Sequence, residues 1–309
     1  MEQKSPVQIL LSTYNGGKFL EEQMDSILLQ DYCNISILIR DDGSSDDTIS
    51  ILKNIQGETD YIDIIFGDNI GIVNSFFMLV QNSDANAQYF AFADQDDYWK
   101  TNKISRAIEM LSSIPCHIPA LYCSDYTLVD DRLEPLPYKR NGIKIVPNYR
   151  NAMIENIATG CTIVINRAAR NELLRTNTTN IIMHDWWMYL LVAATGQVIY
   201  DTNKSILYRQ HGNNAIGIDN TFIKHTITRI KNLLLKRSRI GLKRQLLSFI
   251  DQYGDKLSPD CYSIIESFCE RRSLVPRIRY IVSAQVYRQS RIDTLIFKVL
   301  FMLGHYERI

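Results

Sequence analysis

Between residues 7 and 111 short apolar runs alternate with stretches of helical period, and this alternation leaves few folds open. Residues 7–12, 35–39, 61–66 and 89–93 read as strands. Residues 19–29, a stretch running to Ile55 capped by Asp46 or Asp47, residues 73–80 and residues 100–111 read as the helices between and after them. Such an order predicts an α/β fold, a mostly parallel central sheet with helices on both faces. Right-handed crossovers bring the strand ends to one edge. The loops at residues 13–17, 41–47, 67–71 and 94–97 therefore face one crevice, which is where open α/β sheets bind ligands.

What those loops contain narrows the chemistry. The first strand is followed by Thr13-Tyr14-Asn15-Gly16-Gly17, which is no GxGxxG dinucleotide fingerprint, and the chain has no GxxxxGK[ST] phosphate loop. The fourth strand runs into Asp94-Gln95-Asp96-Asp97-Tyr98-Trp99, three carboxylates within four positions. Acids so close repel one another unless they are solvated or share a cation. An acidic turn ahead of the next helix is the alternative. Asp41-Asp42-Gly43-Ser44-Ser45-Asp46-Asp47-Thr48 can likewise be a turn and a helix cap, or a carboxylate placed to accept the imide N–H of a uracil or thymine.

Beyond Pro119 the pattern changes. Residues 120–124, 126–129, 160–165, 197–200 and 205–208 read as further strands, and residues 130–149 as a long polar loop. Helices are expected over residues 168–174 and from His184-Asp185-Trp186-Trp187 to about Ala194. From Thr221 on the chain reads as helical. Ile223, Ile227, Ile230 and Leu234 form one stripe there, among Lys and Arg. Net charge is zero overall, yet residues 1–219 carry 17 Lys and Arg against 27 Asp and Glu, or −10. Residues 220–309 carry 17 against 7, or +10. A basic unit on an acidic body points to an anionic surface, membrane or nucleic acid. No nucleic-acid motif accompanies the charge, so nucleic acid is not expected as a partner. The six cysteines show no CxxC pair and fit buried, reduced thiols. No leader-like segment and no run long enough to span a bilayer is seen.

Ser12-Thr13-Tyr14-Asn15, then Asp41 to Thr48, then Asp94 to Trp99, closely resemble in order and spacing the family-two nucleotide-sugar glycosyltransferases of GT-A fold. His184-Asp185-Trp186-Trp187 and Tyr208-Arg209-Gln210-His211-Gly212-Asn213-Asn214 look like the later motifs of their bacterial rhamnosyltransferase-like branch. The resemblance covers about residues 7–217. It implies a Rossmann-like GT-A nucleotide-sugar-binding and catalytic domain over residues 1–219, with residues 220–309 as a basic helical extension. Carried onto this chain, it makes Thr13, Tyr14 and Asn15 the walls of the nucleoside pocket and Asp41 the partner of the base. Asp94-Gln95-Asp96 becomes a DxD motif, with Asp94 and Gln95 against the donor. Asp96 becomes the main ligand of a divalent metal, Mn or Mg, with His211 as a further ligand. Asp185 becomes the general base, and Trp186 or Trp187 a contact for sugar or acceptor. Asp97 reaches the metal through water or only caps the next helix, and Trp99 belongs to the core.

The resemblance thus implies an inverting, metal-dependent transferase. It moves a sugar, L-rhamnose from dTDP-rhamnose as the first choice, onto a glycan of a bacterial surface polysaccharide such as O-antigen or capsule. A UDP-hexose or UDP-N-acetylhexosamine donor is the alternative, and a non-catalytic, membrane-associated nucleotide-sugar-binding subunit is the alternative of another class. The acceptor is expected to be polyprenyl-diphosphate-linked. The protein is expected in the cytoplasm, held at the inner face of the plasma membrane through its basic C-terminal helices, and a homodimer is among the expected assemblies.

Overall fold

The computed structural model describes residues 4–57, 60–137, 144–211, 238–270 and 273–306. The stripe from Ile223 to Leu234 lies outside them, as does the middle of the polar loop. The chain forms two compact units that interleave along the sequence: Met1–Pro137, Ala158–Thr176 and Gly196–Gly217 make one, and Tyr138–Ile157, Asn177–Thr195 and Ile218–Ile309 make the other.

The first unit holds one eight-stranded sheet. Its strands are β1 (Val7–Thr13), β2 (Ile35–Asp41), β3 (Ile62–Phe66), β4 (Tyr89–Asp94), β5 (Tyr98–Trp99), β6 (Ala120–Val129), β7 (Val164–Asn166) and β8 (Gln197–Arg209), in the order β3-β2-β1-β4-β7-β6-β8-β5. The strands β3, β2, β1 and β4 are parallel, β7 is antiparallel to β4 and β6, β6 and β8 are parallel, and β5 is antiparallel to β8. The chain lays down β1, β2 and β3 in one direction and then returns to place β4 on the other side of β1. That reversal opens a crevice beyond the ends of β1 and β4. Consecutive positions of β1 and β4 are buried, so both faces of these strands are covered, as their largely apolar composition requires.

The connecting helices are α1 (Leu20–Leu28), α2 (Thr48–Gln56), α3 (Ile72–Asn82) and α4 (Lys103–Leu111). The expected helix over residues 168–174 is present in the first unit one residue earlier, as Arg167–Leu173. Two expectations change in detail, and the choice between two caps is resolved. Residues 120–129 form one strand, not two, and residues 197–209 form another; register shifts beside Asp125 absorb the polar interruption. Residues 160–162 are a 3-10 turn, so the strand there is only β7. Asp46, not Asp47, caps α2, its carboxylate accepting from the Thr48 N–H at 3.1 Å.

The second unit is helical. In chain order its helices, with Arg167–Leu173 of the first unit numbered α6, are α5 (Tyr149–Ala152), α7 (His184–Thr195), α8 (Ser238–Tyr253), α9 (Pro259–Cys269), α10 (Leu274–Ser283) and α11 (Arg291–Met302). Trp187 is fully buried and meets Phe249 edge-on at 5.5 Å, with Tyr253 at 6.2 Å. Among the described residues no helix is long and apolar enough to cross a membrane.

Candidate active site

The strand-end loops of the first unit are tied together by side chains that the sequence singled out. The Thr13 hydroxyl donates to Asp41 Oδ2 at 2.9 Å, and Ser44 donates its N–H to Oδ1 and its hydroxyl to Oδ2. Asp41 is therefore almost wholly enclosed, and it couples the end of β1 to the end of β2. Asn15 stands at a positive φ of 48° and bridges the same two loops. Its N–H donates to the Ser44 hydroxyl, and its side-chain oxygen accepts from the Ser45 N–H at 2.8 Å. Gly17 donates to Asp46 at 3.0 Å. Burial works against the charge on Asp46, but the hydrogen bonds from Thr48 and Gly17 outweigh it and hold the carboxyl below its usual range.

Asp42 has a different task. It pairs with the buried Arg40 guanidinium and accepts the N–H groups of Ile70 and Gly71, both at 2.9 Å. It thus anchors the loop after β3. Gly43 between them stands at φ 80°, and a Cβ there would come within 3.0 Å of the Asn69 nitrogen. Of the two adjacent acids, one ties β1 to β2 and the other fastens the third loop.

Gln95 closes the crevice between β1 and β4. Its side-chain oxygen accepts the Tyr14 N–H at 2.7 Å, and its NH2 donates to the Tyr14 carbonyl at 3.0 Å. Tyr14 itself is left about half exposed.

Asp96 and His211 meet: Nε2 of the imidazole lies 2.8 Å from Asp96 Oδ2, and both side chains keep some exposure. His211 also packs on Phe19 with ring centroids 5.0 Å apart. The donor set suits a hard divalent cation with an imidazole, Mn or Mg. Adjacent ligands of an octahedral ion with bonds of about 2.1 Å sit about 3 Å apart, close to this separation.

A second acidic group lies beside it. Ligand atoms of Asp94, Asp97 and Cys161 fall within 4.8 Å of one another. Asp97 and Cys161 are fully buried. Burial, then the charges of Asp96 and Asp94, push the Asp97 carboxyl well above the carboxylate range; burial, then Asp97 and Asp94, push up the Cys161 thiol. A thiol suits Mg or Mn badly. The Asp96 and His211 pair fits a metal better, with Asp94 the remaining partly exposed acid. Asp97 neither caps α4 nor faces solvent. Its Oδ1 accepts the Arg209 N–H at 3.2 Å, which ties the acidic loop to the end of β8.

Sequence reasoning missed the cations around this group. Arg209 is fully buried. Its Nε donates to the Asp96 carbonyl at 2.9 Å, its other nitrogens reach the Glu22 carboxylate and the Asp131 carbonyl, and its guanidinium lies 4.4 Å over Phe19. It stands two residues before His211 in an expected motif, yet nothing local marks it as buried. Lys103 is fully buried too, its Nζ 3.6 Å from the centre of the Trp99 ring. Burial lowers its pKa to about 7, against the upward pull of Cys161 and Asp97.

The second unit carries the other expected residues. Asp185 is in the first turn of α7, largely enclosed, with its Oδ1 accepting the Trp186 N–H at 2.6 Å. Trp186 keeps part of its surface and donates its indole N–H to the Ala152 carbonyl at 2.6 Å. Trp187 is core, enclosed by Phe249 and Tyr253, so a sugar contact falls to Trp186 alone. His184 is fully enclosed, and burial lowers its pKa to about 3.

Residues 8–177 match the family described as Glycosyl transferase family 2. Among curated relatives, the dTDP-rhamnosyl transferase RfbG of Shigella flexneri is 31% identical over 229 residues, covering 69% of this chain and 75% of that one. A glycosyltransferase of Rickettsia prowazekii is 25% identical over 209 residues, 66% of this chain and 64% of its own. Among solved structures, S. aureus TarS 1-349 superposes with a TM-score of 0.57 at 14% identity, covering 98% of this chain and 93% of that one. Mannosyltransferase PcManGT from Pyrobaculum calidifontis, solved with GDP-Man and Mn2+, superposes with a TM-score of 0.53 at 12% identity, covering 99% and 88%. The chain belongs to glycosyl transferase family 2 and is a glycosyltransferase of GT-A fold.

Proposed function

We propose that this enzyme transfers L-rhamnose from dTDP-rhamnose to a glycan acceptor, with inversion and with a divalent metal at Asp96 and His211. The observation that carries the reading is the 2.8 Å approach of these two side chains at the end of β4, beside loops closed by Asp41 and Gln95. The choice of rhamnose draws on the 31% identity to a relative named as a dTDP-rhamnosyl transferase.

Thr13, Tyr14 and Asn15 line the nucleoside pocket. Asp41, its carboxylate oriented by Ser44 and Thr13, is the acceptor for the base imide. Asp94 and Gln95 orient the sugar. Asp96 and His211 would hold Mn or Mg, whose positive charge would make the nucleoside diphosphate a competent leaving group. Arg209 holds the Asp96 backbone, so that the acidic loop does not have to order itself when the donor arrives. Asp185 takes the proton of the acceptor hydroxyl as that oxygen attacks the anomeric carbon, and Trp186 packs on a sugar face. The displacement is single and in line. The acceptor is a polyprenyl-diphosphate-linked glycan of a surface polysaccharide, which places the enzyme at the inner face of the plasma membrane.

The test is a panel of sugar nucleotides with Mn, read by donor hydrolysis and by the rise in Tm that a ligand of the folded state produces. The expected result is that dTDP-rhamnose gives the largest rise and the fastest hydrolysis. A UDP-hexose or UDP-N-acetylhexosamine in its place overturns the donor assignment. Tight binding without turnover of any donor, with or without acceptor, overturns the catalytic reading in favour of a nucleotide-sugar-binding subunit.

A further inference from the structure

The helices α10 and α11 are apolar on two opposite faces. Inward, Tyr280, Phe297 and Phe301 join Phe268 and Tyr306 in one aromatic cluster, with ring centroids 5.0 to 6.4 Å apart. This is what holds the pair to the rest of the unit. Outward, α10 presents Leu274, Val275, Ile278 and Val282, and α11 presents Ile292, Leu295, Val299 and the adjoining Leu303. These eight are between 41% and 73% exposed. Their spacing puts each set on one stripe of its helix, opposite the buried one. The aromatic cluster does not need them, because it is closed without them. Scattered surface hydrophobes are ordinary, but a double stripe on adjoining helices is a surface that something covers.

Charge selects what covers it. Between Arg271 and Leu303 the sequence has seven Arg and Lys and one acid, Asp293. Arg279 flanks the stripe on α10, and Arg291 and Lys298 flank that on α11. Two copies of such a face set against each other would bring like charges together. An anionic lipid surface meets both features at once, with acyl chains for the stripe and headgroups for its basic margin. Neither helix can cross the bilayer, so the pair lies in the interface.

We infer that α10 and α11 form an interfacial anchor whose exposed stripes, Leu274 to Val282 and Ile292 to Leu303, insert into an anionic phospholipid surface. The inference rests on the membrane location in the functional reading and narrows its seat, among the C-terminal helices, to one surface. It does not depend on the donor or on catalysis.

The experiment is sedimentation of the full chain with sucrose-loaded vesicles, without substrate. Vesicles of phosphatidylcholine with a third phosphatidylglycerol are compared with phosphatidylcholine alone. The wild type is expected to bind the anionic vesicles and to bind the neutral ones far more weakly. Val275→Ser, Val282→Ser, Ile292→Ser and Leu295→Ser combined are expected to lower the partition by on the order of a hundredfold, with Tm and donor hydrolysis unchanged. Arg279→Gln with Lys298→Gln is expected to remove the preference for anionic vesicles. Equal partition of the fourfold variant and the wild type overturns the inference, as does wild-type binding that ignores phosphatidylglycerol. A wild-type dimer that the fourfold variant converts to monomer, with no vesicle binding, overturns it in favour of a second copy. A large loss of Tm in the fourfold variant shows that the protein itself covers this face, and overturns it too. Donor hydrolysis in the same samples reports separately on the transferase reading.

Discussion

The Arg209 side chain donates to the Asp96 carbonyl at 2.9 Å while the Arg209 N–H donates to the Asp97 carboxyl at 3.2 Å. One residue at the end of β8 thereby holds two neighbours of the acidic loop, one by its backbone and one by its side chain. The same guanidinium reaches Glu22 on α1 and lies over Phe19. Lysine cannot occupy these directions together, since it is a single point charge on a flexible stem. Arg209→Lys is expected to lose about 2–3 kcal/mol of stability in urea unfolding and to raise the KM for donor. Unchanged stability would show that the guanidinium is not what holds the loop.

Gln95 joins β1 to β4 through a reciprocal pair with the Tyr14 backbone, near solvent. Removing it exposes those backbone groups to water and leaves none buried without a partner, so the cost in stability stays below about 1 kcal/mol. The loop loses its fixed shape instead. Gln95→Ala is expected to weaken nucleotide binding about tenfold by calorimetry, as ordering the loop again costs of the order of 1 kcal/mol per residue. Binding as tight as wild type would free Gln95 of this role.

Asp185→Asn preserves shape and removes the proton acceptor. Turnover is expected to fall by about 10²–10⁴-fold, with donor affinity unchanged and the donor KM little altered. Near-normal kcat would remove Asp185 as the base.

His184 gives the second unit an acid-sensitive element. Its folded pKa of about 3 lies below the ordinary histidine value of 6.5 because burial disfavours the imidazolium. Between those values the unfolded chain binds the extra proton and the folded chain does not. Stability is therefore whole above pH 6.5 and falls as the pH drops toward 3, by about 1.4 kcal/mol per unit. Unfolding in urea at pH 7, 6, 5 and 4 checks this. His184→Gln should show a slope shallower by that amount, and an identical slope would mean that His184 titrates alike in both states.

The part of the fold that was legible is the part with unbroken patterns. Residues 9–11, 37–39 and 89–93 are apolar at consecutive positions, and they lie in the buried part of the sheet. The turn residues beyond them marked the loops that converge. What was not legible depends on partners far away in sequence. Asp97 has the same local setting as Asp96, yet one is buried and the other meets His211, because the Arg209 amide lies 112 residues from the first. Arg40, Lys103 and Arg209 are cations inside the molecule, and composition predicts them outside. Residues 197–209 read as two strands because Asp201, Thr202 and Asn203 are turn residues; β6 pairs with Asp201 and again with Lys204, so the strand continues while Thr202 and Asn203 drop out of the ladder. Trp186 and Trp187 look alike in sequence, and only helical phase on α7 separates the core ring from the partly exposed one. The helices α10 and α11 were visible as helices, but their second apolar face becomes apparent only once the first is seen to be filled.

The central claim is that Asp96 and His211 hold a divalent metal for the nucleotide. Titration calorimetry of dTDP and UDP with and without Mn, on wild type, Asp96→Ala and His211→Ala, tests it most directly. The account predicts tight, Mn-dependent nucleotide binding by the wild type, loss of the Mn dependence in Asp96→Ala and a partial loss in His211→Ala. Mn-dependent binding that survives unchanged in Asp96→Ala would contradict it.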